Sequence, residues 1–284
     1  MKEFKIAVDD FTFHGYEIGE NSLPSLVCLH GLTGDLKSFS GLIEYLKNDF
    51  HLILLDNPGH GETGPLELED DYRFSSLVNR IYQVVQKITK KSFYILGHSW
   101  GADLALNLAK NYPNKIIGLI LIDGGYVFPE YAEMTKEEAL LGWKDYIETS
   151  KYNSWDEVVK EYQDYTTKQW DTSLDSIIIS NFKKEKGNYI LKADLFSVLA
   201  TIKAFYKEPC STTYDSIVCP VLLLHATFPF IDSSRERGIQ QIKKSINTLK
   251  VKGIENTKHF AHWDIPNSVA NEILLWKQEN YKVY

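Results

Sequence analysis

Short, unbroken apolar runs recur along this chain, and each ends in glycine, proline or aspartate. The runs are "SLVCLHG", "FHLILLDNPG", "SFYILGHS", "IIGLILIDGG" and, much later, "CPVLLLHAT". Apolar runs of about four to eight residues without alternation are typical of strands buried on both faces of a parallel sheet. Helical patterns over residues 36–48, 74–90 and 100–111 lie between the first four runs, and this rhythm predicts an open α/β sheet. The alternating opening "FKIAVDDFTFHGYEIG" predicts an antiparallel hairpin at the sheet edge.

The rhythm is interrupted once, between Gly125 and Val221. The residues between them are helical in pattern, and two capping-box sequences, "TKEE" and "SWDE", each open an amphipathic stretch. The stretch also holds 16 of the 37 aromatic residues, which could form a small core or line an apolar pocket. We therefore predict a core of residues 1–125 and 218–284, and an all-helical lid segment of residues 126–217.

Composition and charge exclude several classes of protein. The net charge is −7, and the basic residues are scattered, so we expect neither nucleic acid nor a membrane surface as partner. The start of the chain has no apolar signal region, and no apolar run approaches the roughly 18 residues of a membrane span, so we expect a cytoplasmic protein. Three cysteines, Cys28, Cys210 and Cys219, lack metal-ligand spacing, and we expect no disulfide framework and no metal.

The motif Gly97-His98-Ser99-Trp100-Gly101 lies between an apolar run and a helical pattern. Gly-x-Ser-x-Gly alone is common by chance, but a strand before it and a helix after it are the context that a nucleophile elbow requires. The glycines permit a turn too tight for side chains, and the turn exposes the serine hydroxyl above the sheet edge. Ser99 is therefore the predicted nucleophile.

A second loop, in "LVCLHGLTGDLKSF", supplies a possible oxyanion site. A strand ends at His30-Gly31, and the loop that follows can turn the amide of Leu32 towards the site, where it would act together with the amide of Trp100. His30 itself is predicted to be structural, because a triad in the chain order serine, acid, histidine needs its base after Ser99.

A third glycine-rich stretch, "LLDNPGHGETGP", matches the dinucleotide fingerprint G-x-G-x-x-G at Gly59, Gly61 and Gly64. In a nucleotide site the fingerprint opens a helix within the first strand–helix unit. Here Pro65 and an acidic stretch follow instead, so we predict a turn and no bound cofactor.

These motifs resemble those of the α/β-hydrolase fold family, specifically its lid-bearing branch of small esterases and relatives. The resemblance rests on His30-Gly31, the Asp56 to Gly61 turn, the Ser99 elbow and a terminal histidine followed by an acid and a proline. It covers nearly the whole chain outside the lid segment. It implies an eight-stranded, mostly parallel sheet with helices on both faces and the lid inserted after the sixth strand. Serine as nucleophile argues against the haloalkane dehalogenase and epoxide hydrolase branches.

The catalytic base is sought in "HFAHWDIP", after the last predicted strand. The family resemblance favours the first histidine, His259, and leaves His262 as the alternative. His225 lies at a strand end and is predicted to belong to the core.

The acid is less obvious. In most relatives it lies in the loop after the seventh strand, at the position that Pro229 occupies here. Asp232, three residues later, could serve if the loop bulges towards His259. Asp123, at the end of "LILI", could reach the histidine from the neighbouring strand, as in some relatives, although an aspartate there could equally cap a turn. We favour Asp123 and keep Asp232 as the alternative.

The predicted function is hydrolysis of carboxylic esters of small, largely apolar substrates through an acyl-enzyme. One alternative is an amide hydrolase similar to proline iminopeptidase, whose elbow also has tryptophan after the serine. Acidic residues of the lid segment, Glu137, Glu157 and Asp164, could then hold a substrate amine. Another alternative is a ligand-sensing protein that keeps the triad and turns over slowly.

Overall fold

The apolar runs form the inner strands of an eight-stranded sheet in the computed structural model, which describes residues 1–127 and 134–280. The order in the sheet is β1-β2-β4-β3-β5-β6-β10-β11. β1 and β2 form the predicted antiparallel edge hairpin, β2 pairs antiparallel with β4, and the remaining pairs are parallel. In chain order the strands are β1 (Lys2–Val8), β2 (Phe11–Ile18), β3 (Ser25–Leu29), β4 (His51–Leu55), β5 (Phe93–His98), β6 (Ile116–Ile122), β7 (Lys151–Tyr152), β8 (Phe182–Glu185), β9 (Asn188–Leu191), β10 (Val221–Ala226) and β11 (Leu249–Ile254).

Helices cover both faces of this sheet, as predicted. Alternate residues of β3 show the two faces, because Val27 and Leu29 belong to one core cluster and Leu26 and Cys28 to the other. α2, α3 and α8 pack on the first face, and α1 and α10 pack on the second. The α-helices are α1 (Ser40–Leu46), α2 (Phe74–Ile88), α3 (Trp100–Asn111), α4 (Lys136–Thr149), α5 (Trp155–Gln163), α6 (Thr172–Ile178), α7 (Leu195–Lys207), α8 (Ser233–Ser245), α9 (Ala261–Asp264) and α10 (Pro266–Asn280).

The lid segment follows β6, the sixth strand of the main sheet, and it is not all-helical. Its described residues, 126–127 and 134–217, contain the helices α4 to α7 and also a three-stranded antiparallel sheet in the order β7-β9-β8. The all-helical prediction is therefore wrong. Residues 128–133 of this segment and residues 281–284 of the predicted core lie outside the described residues, and the division into core and lid stays a prediction.

Strand length explains why these strands escaped prediction. They span two to four residues each, which is too short to show a period. The turn between β8 and β9 carries the available signal, since Lys186 and Gly187 both have positive φ, of 49° and 87°. A two-residue turn of this kind closes a hairpin tightly.

The two predicted capping boxes lie at the starts of α4 and α5, and the second is incomplete. The Thr135 side chain accepts from the Glu138 amide, and Glu138 accepts from the Thr135 amide, so α4 has the full reciprocal pair. Ser154 likewise accepts from the Glu157 amide, but the Glu157 carboxylate accepts from the amide of Asn153. α5 is therefore capped from one side only.

The aromatic residues of the lid segment divide between both predicted roles. Tyr162 and Phe182 belong to a separate core cluster of this segment, while Trp143 and Phe205 line a cavity above the main sheet. All three cysteines are buried and free. Across residues 1–127 and 134–280, every helix is too short or too polar to cross a lipid bilayer.

Candidate active site

The predicted nucleophile lies at a strained turn between β5 and α3. Ser99 has φ 51° and ψ −122°, in a region that a residue with a side chain rarely adopts. Its amide donates to the Ile122 carbonyl at 3.0 Å, which ties the turn to the end of β6. The hydrogen bond holds the strained conformation at the carboxyl edge of the sheet, where parallel α/β sheets place their sites.

The two glycines of the motif are required by close backbone contacts. A Cβ atom on Gly97 would lie 2.2 Å from the carbonyl oxygen of Gly101, and one on Gly101 would lie 1.9 Å from the carbonyl oxygen of Leu29. Real Cβ contacts are essentially never this short, so a side chain at Gly97 would push α3 away from β5, and one at Gly101 would push α3 away from β3. The spacing of the motif therefore follows from packing as well as from chemistry.

The two predicted oxyanion donors meet at the same cavity. Leu32 lies in the loop after β3, and Trp100 is the first residue of α3. Both residues line the cavity together with Ser99, and neither amide donates a hydrogen bond within the described part of the chain. Free amides at a helix N-terminus are suited to a developing negative charge. His30 behaves as the predicted structural residue, since its Nδ1 donates to the Gly31 carbonyl at 2.8 Å.

The structure brings His259 and Asp123 together. His259 Nδ1 lies 2.8 Å from Asp123 Oδ2, and because a carboxylate can only accept, Nδ1 is the donor; in the neutral imidazole Nε2 is then the acceptor. Asp123 directly follows β6, and its amide donates to the carbonyl of Leu224 in β10 at 2.8 Å. His259 and Ser99 line the same cavity, but no hydrogen bond joins them among the described residues. Such contacts often tighten only in the substrate complex.

Three donors converge on the other oxygen of Asp123. Oδ1 accepts from the Ala226 amide at 3.0 Å, from the Tyr126 hydroxyl at 2.6 Å and from Arg235 Nη2 at 2.5 Å. Burial alone would raise the pKa of Asp123, but its hydrogen bond with His259 and the charges of His259 and Arg235 lower the pKa to about 2. Asp123 is therefore ionised and held from four directions, which agrees with the role that we favoured for it.

The alternative acid lies elsewhere. Asp232 is exposed and caps the N-terminus of α8, where its Oδ1 accepts from the amides of Ser234 and Arg235 at 2.9 Å each. It makes no hydrogen bond to His259 in the described structure. The loop after β10 therefore does not bring Asp232 to the histidine, and Asp232 instead orients the helix that carries Arg235.

The alternative base, His262, is already engaged in a hydrogen bond. His262 is fully buried, and its Nε2 lies 2.9 Å from the hydroxyl of Ser38. Burial, reinforced by the nearby His259, lowers the pKa of His262 to about 3. His225 is buried at the end of β10, as predicted for a core residue. Among the predicted histidines, His259 is the one in contact with an acid of the site.

Four supporting residues were not predicted from the sequence. Arg235 and Tyr126 hold Asp123, as described above. His98 Nε2 lies 3.1 Å from the carbonyl oxygen of His259, and burial lowers the pKa of His98 well below its usual value, so the ring is neutral. Asp264 accepts from the Lys258 amide at 2.9 Å, and so closes the loop that carries His259. The only signal for His98 was its place beside the nucleophile.

The cavity above Ser99 has a volume of about 790 Å³. The main sheet and its loops supply the polar groups described above, and the lid segment supplies mostly apolar and aromatic side chains, which are Trp143, Tyr146, Tyr162, Tyr165, Ile202, Phe205 and Tyr206. Its size and composition suit a small organic substrate with a sizeable apolar part. Within the described residues, no group of three or more histidine, cysteine or acidic side chains is arranged to hold a metal ion.

The glycine turn after β4 lacks the helix that opens a dinucleotide fingerprint. Gly59 and Gly61 have φ of 77° and 55°, and no helix begins at the turn. Asp56 fills the space beneath Gly61 and accepts from the Glu62 amide at 2.9 Å. The pattern of glycines therefore serves a tight turn.

Comparison with known proteins identifies the family. The family model described as alpha/beta hydrolase fold matches residues 24–266. The chain belongs to the alpha/beta hydrolase fold family. Membership confirms the family resemblance and the predicted fold, while the lid-bearing esterase branch stays a prediction.

Two kinds of named protein are similar to this chain in sequence. The Serine hydrolase-like protein of Danio rerio is 25% identical over 290 residues, which cover 95% of this chain and 86% of that protein. Monoacylglycerol lipase ABHD6 of Homo sapiens is 34% identical over 101 residues, which cover 35% of this chain and 30% of that protein. The second similarity thus concerns about a third of each chain. The family and these relatives together support a hydrolase.

Solved structures share the fold over nearly the whole chain. E-2-(Acetamidomethylene)succinate hydrolase superposes with a TM-score of 0.80 at 16% identity and covers 98% of this chain and 99% of its own. The thioesterase domain from the curacin biosynthetic pathway gives 0.77 at 20% identity, with 96% and 99% covered. At these identities the likeness concerns the fold alone.

Proposed function

We propose that this hydrolase cleaves carboxylic esters of small, largely apolar substrates through an acyl-enzyme formed on Ser99. The observation that carries the proposal is the His259–Asp123 hydrogen bond of 2.8 Å beside the cavity that Ser99 lines. In this mechanism Ser99 Oγ attacks the ester carbonyl while His259 Nε2 takes the proton from the Ser99 hydroxyl. Asp123 holds the imidazole in the required tautomer and stabilises the imidazolium.

The tetrahedral intermediate places a negative charge on the former carbonyl oxygen. The amides of Leu32 and Trp100 are the groups that we assign to that oxygen, because both line the cavity and neither is engaged elsewhere. His259 then returns the proton to the departing alcohol. In the second half, His259 takes a proton from water as the water oxygen attacks the acyl-enzyme, and it returns that proton to Ser99 Oγ as the carboxylic acid leaves. No step needs a metal or an organic cofactor.

An ester fits the cavity better than an aminoacyl amide does. Of the acidic residues of the lid segment, Glu137, Glu157 and Asp164 are exposed and do not line the cavity. Glu138 does line it, but its carboxylate already accepts from the amide and the hydroxyl of Thr135. The aromatic lining favours an apolar acyl chain. The similarity to a protein named monoacylglycerol lipase over about a third of the chain points in the same direction. We propose that the lid segment covers the bound substrate, and that the protein acts in the cytoplasm on a small molecule.

A covalent probe tests this proposal directly. A fluorophosphonate should label the wild type, and Ser99→Ala should abolish labelling and lower ester turnover by several orders of magnitude. Ser38→Ala is the matched control, because Ser38 lines the same cavity but bonds to His262, and it should label normally. Labelling that persists in Ser99→Ala would refute the assignment.

Substrate panels separate the rival functions. p-Nitrophenyl esters of increasing acyl length should be turned over many times, and aminoacyl anilides much more slowly. Faster cleavage of the anilides would favour an amide hydrolase. A single turnover on every substrate, accompanied by slower proteolysis within the lid segment when ligand is bound, would favour a ligand-sensing protein.

A further inference from the structure

A buried carboxyl that the proposed mechanism does not use lies in the first turn of α3. Asp103 follows Ser99 by four residues, and residues at this spacing lie on one face of a helix, about 6 Å apart. Its side chain lines the same cavity as Ser99, and only 3% of the residue is exposed. Oδ1 of Asp103 has no hydrogen-bond partner in the described structure. The unpartnered oxygen therefore lies one helical turn from the nucleophile.

Packing alone does not account for this carboxyl. Most neighbouring buried positions of α3 are apolar, among them Ala102, Leu104 and Leu106, and the buried Asn107 donates to the backbone carbonyl of Asp103 rather than to its carboxyl. Burial raises the pKa of Asp103 to about 7, although the thiol of Cys210 and the amide of Gly125 lie close enough to oppose the rise. A buried polar group without a partner is unfavourable, and a substrate that supplies the missing donor would relieve it.

A hydroxyl is the donor that fits best. Near neutral pH the carboxyl exchanges a proton, and a hydroxyl can donate to the ionised form or accept from the neutral one. An ammonium brings three donors, but Asp103 offers one acceptor without a partner. The adjoining lining is apolar, with Val127, Ile202 and Phe205, so the other two donors of an ammonium would stay unsatisfied. A hydroxyl leaves no donor unsatisfied there.

We propose that Asp103 is a specificity-determining residue that binds a free hydroxyl of the substrate a few bonds from the scissile carbonyl. This inference rests on the proposed ester hydrolysis and names its substrate class, namely hydroxylated esters. The hydroxyl can belong to the acyl part, as in a β-hydroxyacyl ester, or to the alcohol part, as in a monoester of glycerol. The one-turn separation of Asp103 from Ser99 suits both.

The test measures kcat/KM for matched pairs of esters that differ by the hydroxyl. One pair is ethyl β-hydroxybutyrate and ethyl butyrate, and the other is glycerol monobutyrate and propyl butyrate. The wild type should prefer the hydroxylated member of at least one pair by about tenfold to a hundredfold, as sites that bond a substrate hydroxyl do. The pair that shows the preference identifies which part of the substrate carries the hydroxyl.

Variants assign the preference to a residue. Asp103→Leu should reduce the ratio to near unity, and Asp103→Asn, which still offers an acceptor, should keep part of it. Asn181→Leu is the matched control, because Asn181 also lines the cavity and has a buried, unpartnered side-chain oxygen, and it should keep the wild-type ratio. Melting temperatures establish that each variant is folded.

The outcomes separate this inference from the function on which it rests. Cleavage of the plain esters without any preference for a hydroxyl overturns the inference and leaves the esterase intact. A preference that Asp103→Leu retains, or that Asn181→Leu removes, also overturns it. Failure of the wild type to cleave any of the four esters or to react with the fluorophosphonate refutes both.

Discussion

Replacing Asp123 by asparagine tests the least usual part of the proposed site. The substitution keeps the size of the side chain and exchanges one oxygen for an NH₂ group. Three donors, from Ala226, Tyr126 and Arg235, converge on Oδ1, so the amide oxygen of the new residue must take that position. The NH₂ group then faces His259 Nδ1, which in the wild type donates to Oδ2 at 2.8 Å.

A donor at that position forces the imidazole of His259 into the opposite tautomer. His259 Nδ1 must accept, so the ring proton moves to Nε2, and Nε2 can no longer take the proton from Ser99. We expect kcat for an ester to fall by about 10⁴, the order found when a triad acid becomes an amide. The free energy of unfolding should fall by about 3 kcal/mol, because Arg235 loses the partner of a buried ion pair.

The double variant separates chemistry from stability. Arg235→Met added to Asp123→Asn removes the unpaired cation, so most of the lost stability should return, whereas kcat should stay low. Stability is measured by urea unfolding and kcat by ester hydrolysis at saturating substrate. If Asp123→Asn keeps activity within about tenfold, or if the double variant recovers it, the acid has been assigned wrongly and the site works as a dyad or uses another carboxylate.

The other predictions concern Asp232 and Asp103, to which the proposed mechanism gives no part in the chemical steps. Asp232→Asn should keep kcat/KM within about tenfold and leave the melting temperature nearly unchanged, since asparagine is also a good helix N-cap. A thousandfold loss of kcat/KM in a variant that melts normally would show that Asp232, in the loop after β10, is the catalytic acid. For Asp103, the raised pKa means that the folded state binds a proton that the unfolded state releases, so stability is lost as pH rises from about 4 to about 7. Asp103→Asn should therefore gain up to about 4 kcal/mol of unfolding free energy relative to wild type between pH 4 and pH 8, and a pH-independent difference in urea unfolding would contradict the raised pKa.

Local pattern was enough to predict the strands of the main sheet and the tight turn at Ser99 between β5 and α3. The strands are buried on both faces, so their composition alone marks them, and the elbow at Ser99 must follow a strand and precede a helix. The choice between Asp123 and Asp232 depended on geometry that no local pattern carries. It follows from the pairing of β6 with β10, which places the end of one strand beside the other.

Arg235 and Asp103 show why the rest of the site was missed. Arg235 lies in the polar sequence "SSRERG", which is typical of an exposed helix, and its contact with Asp123 spans 112 residues. Asp103 interrupts an apolar helix, and the sequence alone does not reveal whether such a carboxyl has a partner. Both depend on tertiary contacts between distant segments. The lid strands were missed for a different reason, because they are shorter than any recognisable period.

The position of Tyr126 has a mechanical consequence for the cover of the cavity. Tyr126 is fully buried, its hydroxyl bonds to Asp123, and its carbonyl oxygen lies so close to Gly238 of α8 that a Cβ there would approach it to 1.8 Å. The chain that leaves β6 is thus clamped for four residues beyond the strand. Movement of the segment beyond Tyr126 would therefore leave in place the carboxylate of Asp123, and with it the orientation of His259.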